Sequence, residues 1–209
     1  MSVLSKIASA LNRRDEVPNQ ELARQIAASK DHEAVKELIG HLNHKNKDIP
    51  GDCIKVLYEI GAIEPKLIAG YAEQFLTQLR SKNNRMHWGA MTALSAIARE
   101  IPDVIFKYLP QILDAADKGS VITKDHAVNI LVHLCAVGKM KEQAFPLLLE
   151  QLAKAATNQL PMYAENVLPV VDATNKTLFI ETLRARLDEV DKDSKKQRIE
   201  KVIRKVSKG

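Results

Sequence analysis

The histidines are the residues whose spacing first suggests chemistry. His41 and His44 stand three apart and could present two imidazoles to one ion. Zinc sites need three or four N, S or O ligands, and beside this pair only Asp48 is close. His126 and His133 share a helical face but lie two turns apart, about 10 Å at helical rise, too far for one ion. No metal is therefore expected. Cys53 and Cys135 are 82 positions apart with no CxxC. They read as small buried residues, with a reactive thiol as the alternative, and not as a disulfide framework. Gly-rich phosphate loops, GxSxG and HExxH are absent. No catalytic group is assigned and no cofactor is expected. What remains is recognition chemistry: the single Trp, Trp88, and a strongly basic C-terminal stretch.

The elements that must position these groups come from the composition and the period. The chain has 209 residues, of which 45% are apolar and 27% charged. That suits a folded chain and excludes extended disorder. Eight Gly, 8 Pro, 1 Trp, 4 Tyr and 4 Phe are too few for a turn-rich all-β protein. An exact 37-residue step links Cys53, Ala90, Ala127 and Ala164. It also links Val56, Ala93, Ile130 and Val167, then Leu57, Leu94, Leu131 and Leu168, then Ile60, Ile97, Leu134 and Val171. Within each unit these positions fall at i, i+3, i+4 and i+7, one face of a helix, called helix B. A preceding helix A repeats at the same step through Ala34, Tyr71, Tyr108 and Phe145, through Leu38, Phe75, Ile112 and Leu149, and through Leu42, Leu79, Ala116 and Ala153.

These stripes predict an all-α, right-handed α-α superhelix. Four repeats of 37 residues fill 31–173, between helical caps at 1–30 and 174–209. A helix pair of this length cannot bury its apolar face alone, so neighbours must stack and the ends must be capped. The N-terminal cap is expected as a helix over Val3–Arg13 and a second over Gln20–Ser29, separated by Val17, Pro18 and Asn19. The C-terminal cap is expected over Lys176–Val190, with Thr174 as N-cap, and over Ser194–Val206. Pro65 and Pro102 should open A helices, and Pro110 and Pro146 should bend or delay them. Gly61 and Gly138 are placed as stops of B helices, and Pro169 should disturb the fourth B helix. No segment matches a secretory signal or a membrane span, so cytoplasmic residence is expected.

With its repeat length, paired helices, A-helix prolines (Pro102, Pro110, Pro146) and a B-helix core such as Ala90, Leu94, Ile97 and Ala98, the chain resembles the HEAT-repeat family of armadillo-like α-solenoids. Asn84-Arg85 and Lys124-Asp125 approximate the family's inter-helix Asp and Arg, while Pro50 and Pro161 occupy that turn in repeats one and four. The resemblance implies a binding scaffold whose B helices line the concave side. Opposite the core stripe, that face would carry Gly51, Trp88, Asp125 and Met162; Lys55, Thr92, Asn129 and Asn166; Asp52, Gly89, His126 and Tyr163; and Glu59, Ala96, His133 and Val170. Trp88, Thr92, Asp125, His126, Asn129, His133, Met162, Tyr163 and Asn166 are the candidate contacts for a protein or peptide, because Trp, Tyr and Met concentrate at interfaces. Packing of Trp88 against a neighbouring helix is the competing reading.

The formal charge of +5 points to a second kind of partner, nucleic acid or another polyanion. The excess is local: residues 192–209 hold 8 Lys or Arg against 2 acids, and the remainder is close to neutral. Ile199, Val202, Ile203 and Val206 make this segment a basic amphipathic helix. Lys195, Lys196, Arg198, Lys201, Arg204, Lys205 and Lys208 should face water, as a solvated cap, as a polyanion-binding surface, or as a contact for a membrane surface or an acidic partner. A sharper form of the alternative is similarity to the HEAT-like alkylpurine DNA glycosylases, if Trp88, Asp125, Arg85 and Lys124 meet in one cleft. Here Thr92 stands where an acid would be needed.

Overall fold

In this chain the apolar stripes of period 3.6 leave water by packing helix against helix. The computed structural model describes residues 2–208 and contains helices and turns with no strand among them. The chain divides into two compact units, Met1–Ala127 and Val128–Gly209.

The first unit opens with a short 3-10 turn, Val3–Lys6, capped by the Ser2 hydroxyl. The expected helix over Val3–Arg13 does not form. Side-chain acceptors capture the backbone donors that a helix would use: Ala8 N–H donates to Asn19 Oδ1 and Ser9 N–H to Asp52 Oδ2. Asn12 then adopts a left-handed conformation, φ 54°. Helix α1 (Val17–Ser29) starts three residues earlier than expected. Pro18 is no separator but sits in the first turn, where its missing N–H costs nothing.

Next come α2 (His32–Gly40), whose Asp31 cap accepts from Ala34 N–H, and α3 (Asp48–Ile63). The second A helix is split into α4 (Lys66–Ala69) and α5 (Ala72–Gln78), followed by α6 (Asn84–Ile97). The third is split into α7 (Pro102–Lys107) and α8 (Leu109–Lys118), because Pro110 cannot donate to the preceding turn. Helix α9 (Val121–Cys135) follows. The α4–α6 and α7–α9 segments thus have three helices each, whereas α2–α3 has two.

The second unit continues with α10 (Gly138–Lys154), which carries Pro146 internally and remains continuous. Helix α11 (Leu160–Val167) passes into a 3-10 turn, Leu168–Val170, where Pro169 interrupts it. Then come α12 (Lys176–Ala185), a 3-10 turn Leu187–Glu189, and α13 (Asp193–Lys208). Thr174 is not the cap of α12: Asn175 is, while Thr174 donates its hydroxyl to Asp172. Gly61 lies inside α3 and Gly138 opens α10, so neither is a helix stop.

The first two B columns are buried in all four repeats. The last two hold through Leu131 and Leu134, but Leu168 and Val171 are half-exposed, because Pro169 has ended the helix. In α10 the A stripe slips by one residue. Leu148 and Leu152 enter the core, Leu149 is half-exposed and Ala153 faces water.

Candidate functional site

In the first unit the site is built on α3 and α6. Trp88 is half-buried, and its ring lies 5.7 Å from that of Tyr58, tilted by 52°. This supplies part of the packing reading, and the remaining ring surface stays accessible. A cavity of about 410 Å³ lies elsewhere in the chain; the groove beside Trp88 is smaller, about 300 Å³. Asn84, His87, Lys118, Gly119, Ser120 and Thr123 complete that groove. Thr92 is half-buried and its hydroxyl donates to Trp88 O at 2.9 Å, so its proton is already committed.

Lys55, placed by sequence on the solvated face, is buried. Its ammonium pairs with Glu16 and Glu59, each at 2.7 Å, and stands 4.9 Å from the Tyr58 ring centroid. Burial alone would lower the Lys55 pKa, but the two carboxylates outweigh it and hold the pKa above the ordinary lysine value.

The column of Asp52, Gly89, His126 and Tyr163 does not form an exposed stripe. Asp52, Gly89 and Tyr163 are buried, so Tyr163 is not an exposed anchor. These positions adjoin the core stripe by one 100° step, and the helices approach closely there. A Cβ on Gly89 would come within 2.8 Å of Ile54 Cγ1. Asp52 accepts from Ser9 N–H and Asn19 Nδ2, each at 2.8 Å, and from Arg85 Nη2 at 3.3 Å. Arg85 is therefore turned toward α3. The four-residue glycosylase-like cluster of Trp88, Asp125, Arg85 and Lys124 loses its arginine to that pairing. Asp125 and His126 are half-buried on α9. His126 Nδ1 has no hydrogen-bond partner, and burial lowers the His126 pKa against a smaller opposing pull from Asp125.

In the second unit Asn129 on α9 and Asn166 on α11 are joined, as their 37-residue spacing suggested. Asn166 Nδ2 donates to Asn129 Oδ1 at 3.3 Å. Both are half-exposed, as are His133 and Met162.

The basic helix α13 buries Ile199, Val202 and Ile203. Several of its cations are engaged. Arg198 grips Glu165 with two hydrogen bonds, at 2.9 and 2.6 Å, which lowers the Glu165 pKa and raises that of Arg198. Lys195 donates to Asn158, Lys196 stands 3.7 Å from Asp188, and Arg204 stands 3.7 Å from Glu200. Lys201, Lys205 and Lys208 are exposed and carry no ion pair among the described residues.

His41 and His44 place their rings 5.8 Å apart, and His41 Nδ1 is 2.8 Å from the Glu37 carbonyl. Among the described residues no group of three His, Cys, Asp or Glu could hold a metal ion. Sequence reasoning missed the Asp52 and Lys55 networks and the role of Arg186, whose guanidinium caps α10 through the Leu152, Ala153 and Ala155 carbonyls. No sequence signal marked these residues, because a charge on a helix is ordinarily solvated.

No family model matches the chain, and no curated protein matches it. Solved structures do. One engineered protein superposes over the whole of both chains with a TM-score of 0.64 at 20% identity. A second engineered protein gives 0.63 at 17% identity, covering 100% of this chain and 98% of its own. A designed armadillo repeat protein, in complex with the peptide (KR)4, gives 0.63 at 15% identity, covering 96% and 99%. The chain therefore has an all-α, armadillo-like helical repeat fold. No helix among the described residues is long and apolar enough to cross a membrane.

Proposed function

We propose that this chain is a non-catalytic scaffold that binds a protein or an extended peptide along its B-helix face. The carrying observation is the Asn129–Asn166 pair. Two carboxamides on successive repeats use one donor and one acceptor on each other. Each Asn keeps further donor or acceptor capacity for a ligand. An extended peptide offers alternating N–H and C=O groups that such amides can match without reading side chains. Within the first unit, the Trp88 groove offers by itself an aromatic anchor of the type that dominates binding energy. The designed neighbour that holds (KR)4 supports the peptide reading of the fold.

At finer resolution, the 37-residue period and two-helix repeats support a HEAT-type assignment for α2–α3, beside the three-helix armadillo-type repeats. The free, buried thiols of Cys53 and Cys135 suit the reducing cytoplasm. The engaged cations of α13 support the solvated cap over a polyanion surface.

A displayed peptide library selected on the full chain tests the proposal. Enriched peptides should lose at least about tenfold in affinity on Asn129→Ala/Asn166→Ala, the scale of one or two lost hydrogen bonds, with an unchanged melting temperature. A library that yields no binder, or binders indifferent to those changes and to Trp88→Ala, would overturn it. Duplex DNA in parallel should bind no more tightly than to an unrelated chain of equal charge.

A further inference from the structure

The second unit contains a cavity that the B-helix face does not use. Two contacts set the register of α13 on α11. Lys195 meets Asn158 and Arg198 meets Glu165, so the helices run parallel. Helix α13 has 16 residues, but α11 has 8. In that register the last turns of α13 extend past Val167, over the place where Pro169 has replaced helix with a 3-10 turn and a loop. The missing helical turns leave a cavity of about 410 Å³, within the range of about 300–1,000 Å³ typical of small-ligand sites.

Its walls combine two chemistries. Leu168, Pro169, Val171, Ala173 and Val206 are apolar, while Lys176 and Lys205 are the cationic residues of its lining. Asp172 also lines it, but that carboxylate is occupied by Lys141, the Thr174 hydroxyl at 2.6 Å and the Thr174 N–H at 2.9 Å. These contacts keep its pKa far below the ordinary range, with the Lys141 hydrogen bond the largest cause. Lys176 and Lys205 have no ion pair among the described residues. The local charge left unbalanced is positive, and the floor is apolar.

We infer that this cavity binds a carboxylate carried on an apolar body, with Lys176 and Lys205 receiving the carboxylate and Leu168, Val171 and Val206 the body. Such a group occurs on a free medium-chain acid and at the C-terminus of a peptide ending in an apolar residue. A neutral apolar ligand would leave the lysines without a counter-charge, and a small inorganic anion would leave the apolar wall wet.

The test titrates the full, isotope-labelled chain with octanoate, octanamide, and an acetylated dipeptide ending in leucine, as free acid and as amide. Octanoate or the free-acid peptide should shift the backbone amides of Val171, Ala173 and Val206. The better of the two identifies the source. Each amide counterpart should bind at least about tenfold more weakly, as expected for loss of a charge-assisted contact. Lys176→Gln/Lys205→Gln should abolish that preference without lowering the melting temperature; Lys205→Gln alone, on an exposed side chain, should reduce it if the double variant misfolds. Equal binding of acid and amide, shifts confined to other residues, or no shift up to about 10 mM would each overturn the inference.

Discussion

At the scale of single residues, Lys55 shows how a charge enters a helical core. Its stem lies in the packing between α3 and its neighbours, and its ammonium is met by Glu16, Glu59 and the Tyr58 ring. A buried cation is tolerated only when it is paired in this way. Because the two glutamates are partly exposed, Lys55→Met should cost about 1–3 kcal/mol rather than the full penalty of a buried pair. Its pH dependence follows from the raised pKa. The contribution is fully present below the unfolded lysine value of about 10.4. It is lost as pH rises beyond that value and through the higher folded one. Denaturant unfolding of the wild type and Lys55→Met should therefore differ by a constant amount between neutral and mildly alkaline pH, and converge only in strong alkali. Nothing in the sequence marked Lys55, because a lysine on a helix is ordinarily a solvated one.

At the scale of elements, glycine positions distinguish contact from solvent. Gly89 lies where α6 meets α3, and a methyl there would collide with Ile54 Cγ1 at 2.8 Å and Cγ2 at 3.2 Å. Overpacking of this kind costs about 1–3 kcal/mol, against a helical gain of about 0.5–1 for replacing glycine. Gly89→Ala should then destabilise by about 1 kcal/mol. Gly40, the last residue of α2, has nothing within 4 Å of the same methyl. Gly40→Ala should stabilise by about 0.5 kcal/mol through the unfolded chain. Opposite shifts in urea midpoint for one chemical change would confirm that α3 and α6 meet through the Gly89 face. The spacing alone places the column of Gly89 on the candidate binding face, opposite the core stripe. One hundred degrees of helix separate a core position from its neighbour, and only the distance between helices decides whether that neighbour is covered.

At the scale of the whole molecule, α13 is part of the core as well as the site of excess charge. It buries Ile199, Val202 and Ile203, each worth about 1.5–3 kcal/mol when withdrawn from water, as an upper estimate. Truncation after Lys192 should therefore destabilise the second unit by on the order of 5 kcal/mol. Arg198→Gln and Lys196→Gln, which touch only exposed ion pairs, should cost less than about 1 kcal/mol each. Thermal melts of the three variants separate these effects. A truncated chain that melts like the intact one would show that α13 does not belong to the core.

The 37-residue step and the alternation of two stripes determined the all-α repeat and the Asn129–Asn166 contact, and proline's missing N–H determined the interruptions at Pro110 and Pro169. Each follows from local geometry or fixed spacing, so the chain itself carries the information. Tertiary structure decided what no spacing encodes. The donors at Ala8 and Ser9 went to Asn19 and Asp52 instead of to a first helix. Tyr163 went inside, Arg85 turned to Asp52, and the end of α13 was left standing over a cavity where α11 had stopped. In every such case two segments distant in sequence compete for one donor, one charge or one volume, and the outcome depends on how closely they approach.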